Sequence, residues 1–99
     1  MNGNMPGGTS SNQNQFYYTY VLQSLADGKR YIGMTTDLRR RFQEHQMGKS
    51  LSTAPRRPFK LIYYEAVLSY EDAERRERYL KTTDGRRFLA KRLRHYLAA

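Results

Sequence analysis

Aromatic and β-branched residues alternate with polar ones along three segments of the chain, a pattern typical of half-buried strands. The segments run from Phe16 to Gln23, from Lys29 to Met34 and from Phe59 to Val67. Asp27-Gly28, a strong turn pair, predicts that the first two strands form a hairpin. Along the second strand, alternation places Tyr31 and Gly33 on the same face.

Three further segments carry apolar residues three and four positions apart, which is the spacing of an amphipathic helix. The predicted helices run from the N-cap candidates Thr35 to Asp37 to about Gln46, from the cap Ser69 to about Thr82, and from about Arg86 to Leu97. Asp84-Gly85 marks a short break before the third helix. The order β-β-α-β-α-α predicts an α/β (α+β) fold, with a small three-stranded, mostly antiparallel sheet flanked by helices.

The amino-terminal segment differs from the rest in composition. Residues 1–15 carry no charge and are rich in Asn, Gln, Gly and Ser, with Met1 and Met5 as their apolar side chains. Such a segment buries too little surface to offset the entropy of ordering, so we expect a disordered tail. The length of the remainder predicts one folded domain over residues 16–99.

The predicted folded part is strongly basic. It holds all 18 Lys and Arg residues and all nine Asp and Glu residues, so its net charge is +9. A domain this basic attracts polyanions, and nucleic acid is favoured over a merely solvated surface. An anionic membrane is the weaker alternative, because the basic residues are spread over every predicted element. The chain has no cysteine and no apolar run long enough for a signal peptide or a membrane span, so we expect a cytoplasmic protein.

Two predicted helices carry polar side chains on faces that should point inward. In the first, His45 continues the line of Leu38 and Phe42, and Arg41 lies on the same flank. In the second, the stripe at positions 70, 73, 77 and 80 contains one carboxylate, Glu77, among residues that fit a core. Because burying a charge is costly unless it is paired, these residues are candidates for a functional site.

Purely structural interpretations of the same residues stay open. Glu77 could form an ion pair with Arg41, Arg76, Arg78 or Lys81. His45 could be a hydrogen-bonded residue at a helix end, and Tyr20 could be a core aromatic of the first strand.

Several short motifs occur in an order that resembles the GIY-YIG nucleases. They are Tyr18-Thr19-Tyr20, Tyr31-Ile32-Gly33, Asp37-Leu38-Arg39-Arg40-Arg41 followed by His45, and Ala73-x-x-x-Glu77 followed by Leu80-Lys81. The resemblance covers about residues 17–93 and is greatest to short, stand-alone bacterial members, whose core is similar to that of structure-specific repair and recombination nucleases. The first motif departs from Gly-Ile-Tyr at two of three positions, Met34 replaces a Lys of some members, and the Asn found beyond the glutamate in many members is missing.

The resemblance implies a metal-dependent DNA endonuclease and a role for each residue. Tyr31 would be the general base, directly or through His45. Arg41 would hold the phosphate and stabilise charge in the transition state. Glu77 would hold one Mg²⁺ or Mn²⁺, and Tyr20 would position water or phosphate by hydrogen bonding.

Basic residues beyond these motifs are candidate contacts to a nucleic-acid backbone. They are Lys49, Arg56, Arg57 and Lys60 in the loop before the third strand, and Lys81 at the end of the second helix. The weaker alternative for this loop is a solvated surface. We expect DNA as substrate, branched or damaged, with selection of its shape in repair or recombination. The alternatives are a catalytically weak nucleic-acid-binding module with the nuclease fold, or an adaptor that recruits a larger protein partner.

Overall fold

The computed structural model describes residues 15–99, and the disordered tail expected over residues 1–15 lies outside that range except for Gln15. The elements are β1 Tyr17–Ser24, β2 Arg30–Thr35, α1 Leu38–Gln46, β3 Phe59–Val67, α2 Tyr70–Leu80, α3 Thr83–Arg92 and α4 Arg94–Ala98, with a 3-10 turn at Ala54–Arg56. None of the helices between residues 15 and 99 has the length and hydropathy needed to cross a membrane.

The three strands form one antiparallel sheet with the order β2-β1-β3, which confirms the predicted fold class. The most buried strand, β1, lies in the centre. A bulge between Val21 and Leu22 shifts the register with β3. Because of this bulge, Ile62 and Tyr63 both pack on the side of Val21, although they are consecutive in sequence.

Both faces of the sheet are covered, and each has its own apolar cluster. On one face, Tyr20, Leu22 and Phe59 pack against α1 through Leu38 and Phe42. On the other, Val21, Leu80 and Leu89 bring together the sheet, α2 and α3. Each fully buried leucine contributes about 1.5–3 kcal/mol to folding by leaving water. The sheet is therefore the middle layer of three.

The predicted signals at the ends of the first two helices are confirmed. The Asp37 side chain caps α1 by accepting from the amide of Arg40, and the Ser69 hydroxyl caps α2 by accepting from the amide of Asp72. Gly48, with a φ of +77°, follows the end of α1.

The break predicted at Asp84-Gly85 is wrong. Thr82 caps α3 through the amide of Gly85, so the glycine lies in the first turn of a helix that begins at Thr83. Gly85 serves close packing, because a Cβ there would collide with the backbone of Tyr79 at the end of α2. The third predicted helix also divides at Leu93 into α3 and α4.

Candidate active site

The β-hairpin brings two tyrosines and a glycine together on the α1 face. Tyr20 of β1 is paired with Gly33 of β2, and its ring lies over the glycine. A Cβ at Gly33 would be 2.5 Å from the Tyr20 hydroxyl oxygen and 3.1 Å from the Tyr31 ring. Gly33 therefore leaves the space through which the Tyr20 hydroxyl reaches the edge of the sheet.

His45 of α1 lies beneath these tyrosines and is fully buried. Its Nε2 is 2.9 Å from the Tyr20 hydroxyl, and its Nδ1 is 2.9 Å from the hydroxyl of Thr53. The rings of His45 and Tyr31 pack edge to face with centroids 5.1 Å apart. The inward position predicted for His45 is confirmed, and both of its nitrogens have protein partners.

Burial sets the protonation of this pair. Burial raises the pKa of Tyr20 to about 12, and the hydrogen bond with Arg41 offsets part of this effect. Burial, together with the nearby Arg41 charge, lowers the pKa of His45 below its usual range. Near neutral pH, Tyr20 therefore keeps its proton and His45 is uncharged.

Arg41 of α1 is half-buried beside the tyrosines. Its Nη1 donates to the Glu44 carboxylate at 3.0 Å, and it also interacts with the hydroxyls of Tyr20 and Tyr31. Burial by itself would lower the pKa of Arg41, but the hydrogen bonds with Glu44 and Tyr20 outweigh this effect and raise it. The guanidinium is thus a permanent positive charge at the Tyr20 hydroxyl.

Glu77 lies on α2, on the other face of the sheet, and its charge raises the pKa of Tyr20. Its carboxylate is half-buried and forms an ion pair with Lys81, with 3.2 Å between Oε2 and Nζ. This is one of the four pairings that the sequence left open. In the predicted core stripe of α2, Ala73 and Leu80 are buried, but Tyr70 is exposed and packs on the ring of Tyr17.

A basic cleft of about 820 Å³ runs along the outer edge of β2, next to Tyr31. Its basic lining residues are Lys29, Arg30, Arg56, Lys81 and Arg86. Sequence reasoning assigned Arg56 and Lys81 to a binding surface but not the other three. Lys29 and Arg30 directly precede the Tyr31-Ile32-Gly33 motif, and that proximity was the available signal.

A comparison with protein-family models finds a match that spans all five candidate residues, Tyr20, Tyr31, Arg41, His45 and Glu77. The family model described as the GIY-YIG catalytic domain matches residues 16–97. This chain belongs to the GIY-YIG family. Membership suggests a nuclease.

Relatives of this GIY-YIG protein include UPF0213 proteins from streptococci. One from Streptococcus pneumoniae serotype 4 is 48% identical over 65 residues, which cover 65% of this chain and 65% of that protein. One from Streptococcus agalactiae serotype V is 45% identical over 65 residues, which cover 65% of this chain and 73% of that protein. The solution NMR structure of a UPF0213 protein from Bacillus halodurans is 35% identical and has a TM-score of 0.49, covering 77% of this chain and 83% of that chain.

The predicted binding loop of the GIY-YIG domain places its basic residues in different surroundings. Arg56 lines the cleft, where its Nε is 3.7 Å from the Asp27 carboxylate. Arg57 folds back and donates to the carbonyl of Ala54 at 2.9 Å. Lys49 is exposed, and the Lys60 ammonium lies 5.2 Å from the centre of the Tyr96 ring. The structure thus brings Arg56 and Lys81, but not Arg57 or Lys60, to the cleft.

The donor set for a divalent cation in this GIY-YIG site is small. Within residues 15–99, no group of three or more His, Asp or Glu side chains is arranged to hold a metal. Glu77 offers a single half-buried carboxylate. Mg²⁺ commonly keeps most of its waters and takes one or two carboxylates together with substrate phosphate, so this set fits a hydrated Mg²⁺.

Proposed function

We propose that this GIY-YIG protein is a metal-dependent endonuclease that hydrolyses phosphodiester bonds of DNA. The observation that carries the proposal is that the charges of Arg41 and Glu77 both act on the buried Tyr20 hydroxyl, beside Tyr31 at the rim of a basic cleft. Hydrolysis of a phosphodiester needs an activated water, a positive group for the phosphate and help for the leaving oxygen. The site offers a group for each need.

Arg41 binds the scissile phosphate and stabilises the charge that develops in the transition state. Its guanidinium contacts the Glu44 carboxylate at 3.0 Å, and a phosphate can take the place of this carboxylate because both accept charge-assisted hydrogen bonds. The Tyr20 hydroxyl, which also interacts with Arg41, stays beside the guanidinium during this exchange.

Tyr31 is the general base, since it lines the cleft and lies within the field of Arg41. Its direct action is favoured over a route through His45, because both imidazole nitrogens are already bonded to Tyr20 and Thr53. Tyr20, with a pKa of about 12, keeps its proton and positions the reacting groups by hydrogen bonding.

Glu77 would hold the Mg²⁺ or Mn²⁺ ion, with water in the remaining ligand positions. Such an ion supplies charge stabilisation for the leaving oxygen. The Lys81 ammonium, 3.2 Å from the carboxylate, lines the cleft and can turn to a DNA phosphate instead.

The basic side chains of the cleft bind the sugar-phosphate backbone of the DNA. These side chains come from the hairpin turn, the loop before β3 and the region between α2 and α3. Contacts of this kind position a strand without reading its sequence, so selection rests on the shape of the DNA. Branched or damaged DNA in repair or recombination is the substrate that fits such selection, and a protein partner could add further specificity.

Cleavage of end-labelled duplex, single-stranded, flap, splayed-arm and four-way-junction DNA with Mg²⁺ or Mn²⁺ tests the proposal. We expect cutting of at least one structure, and its loss in Glu77→Gln with little change in stability. Glu74→Gln is the matched control, because Glu74 forms an equivalent ion pair with Arg78 one turn away and is more exposed. If the purified protein cuts none of these DNAs with either metal, the proposal is wrong.

The alternative of a binding module is favoured by the ion pairs that already occupy Arg41 and Glu77. It predicts salt-dependent DNA binding that Arg41→Ala and Glu77→Ala leave nearly intact, without cleavage by the wild type. An adaptor function predicts a stable complex with a protein partner. The cleavage and binding assays separate these functions from a nuclease.

A further inference from the structure

A buried hydroxyl links the loop after α1 to the site. Thr53 is 1% exposed, and its oxygen lies 2.9 Å from His45 Nδ1 and 3.3 Å from the carbonyl oxygen of Ser50. Neither the sequence motifs nor the roles proposed above use this residue. Together with Tyr20 and His45, it forms a continuous series of hydrogen bonds that ends at the Ser50 carbonyl.

The Ser50 end of this series fixes the direction of every bond within it. A carbonyl can only accept, so the Thr53 hydroxyl donates to Ser50 and accepts from His45 Nδ1. The imidazole therefore carries its proton on Nδ1 and a lone pair on Nε2. That lone pair accepts the proton of the Tyr20 hydroxyl, 2.9 Å away.

We propose that Thr53 is a positioning residue that holds His45 as the Nδ1–H tautomer and thereby orients the Tyr20 hydroxyl. With its proton directed to His45, the Tyr20 oxygen presents its lone pairs towards Arg41. The consequence for DNA cleavage rests on the proposed nuclease function, whereas the tautomer itself does not. Thr53 acts through His45 and Tyr20.

The substitution that tests this inference is Thr53→Val, which keeps the shape of the side chain and removes the hydroxyl. Imidazole nitrogen NMR of the full chain reports which nitrogen carries the proton. His95, exposed in α4, is an internal reference, because it is the second of the two histidines of the chain. We expect His45 to be Nδ1–H in the wild type and in Thr53→Ser, and to lose this single form in Thr53→Val.

In the cleavage assay, Thr53→Val should lower kcat by about tenfold or more and leave KM nearly unchanged. The reason is that Thr53 is buried beneath the site and acts on Tyr20 only through His45. Thr53→Ser should restore kcat, and Ser52→Ala, at an exposed neighbouring position, is the control for changes in the loop.

Two results would overturn the inference. The first is a wild-type His45 that is Nε2–H or charged near neutral pH, which needs no variant. The second is a Thr53→Val protein whose His45 spectrum still shows the wild-type tautomer. A wild type that cuts no DNA would contradict the nuclease function instead, and the nitrogen spectra would still decide the role of Thr53.

Discussion

Two arginines, one on each face of the sheet, are similarly buried yet held in different ways. Arg41 and Arg76 each have 31% of the side chain exposed, and each contacts a carboxylate and a tyrosine. For both, hydrogen bonds with these partners raise the pKa against the effect of burial. Exposure and pKa alone would not distinguish them.

Their surroundings do distinguish them. Arg76 donates to Glu65 of β3 at 2.8 Å, and its guanidinium lies 4.4 Å from the centre of the Phe88 ring of α3. It thus joins α2, β3 and α3 through partners that are distant in sequence. The carboxylate on Arg41 comes from Glu44, one turn along the same helix, and its other neighbours are the tyrosines beside the cleft. Arg76 is held by the fold, whereas Arg41 can exchange its partner.

The largest difference that we expect between the two arginines is in catalysis. Arg41→Lys should lower the cleavage rate by at least about 100-fold, because an ammonium does not reproduce the two-nitrogen fork on a phosphate. Arg76→Lys should leave the rate of the folded protein within about twofold of the wild type. Single-turnover cleavage of the preferred DNA measures both rates. Equal losses would mean that Arg41, like Arg76, serves the fold.

A smaller difference is expected in stability when the carboxylate partners lose their charge. Glu65→Gln should lower the free energy of unfolding by about 1–3 kcal/mol, because it leaves a half-buried guanidinium without its anion and weakens the acceptor of Tyr63. Glu44→Gln should change it by less than about 1 kcal/mol, as is usual for a pair between neighbouring turns of one helix. Urea denaturation compares the two variants. If Glu44→Gln lowered the free energy of unfolding more than Glu65→Gln, the pair on Arg41 would be the one that supports the fold.

The smallest effect that we expect is a pH dependence of the free energy of unfolding, caused by His45 on the same face of the sheet as Arg41. Because the pKa of His45 is lowered by folding, the unfolded chain binds more protons than the folded one below about pH 6.5. The stabilisation is fully present above that pH and is lost as the pH falls towards the folded pKa, with a slope of at most about 1.4 kcal/mol per pH unit. Denaturation between pH 7 and 5 should show a shallower slope in His45→Asn. An unchanged slope would exclude His45 as the cause.

Local patterns in the sequence were enough to predict the hairpin, the caps at Asp37 and Ser69, and the burial of His45. Each depends on residues close together in the chain, where alternation, helical spacing and side-chain capping act directly. The resemblance also identified Tyr20, Arg41 and Glu77, and the charges of Arg41 and Glu77 both act on the pKa of Tyr20.

Contacts between distant segments could not be predicted in the same way. Thr53 lies in a loop whose composition favours a solvated surface, and only the fold shows that its hydroxyl meets His45. The cleft likewise joins Lys29 and Arg86 across two elements that no periodicity relates. Gly85 predicts a break because glycine weakens helices. In the structure it lies inside α3, where the closeness of α2 leaves no room for a Cβ.

The ring of Tyr20, lying across Gly33, has a consequence for how well the site keeps its shape. The hydroxyl reaches the edge of the sheet, yet the backbone that carries it belongs to the central strand, where residues 19–22 are all buried. Amide hydrogens of such a strand exchange with solvent only in the rarest openings of a protein. The Tyr20 hydroxyl is thus attached to the strand that opens last, whereas β2, at the edge of the sheet, is paired on one side only.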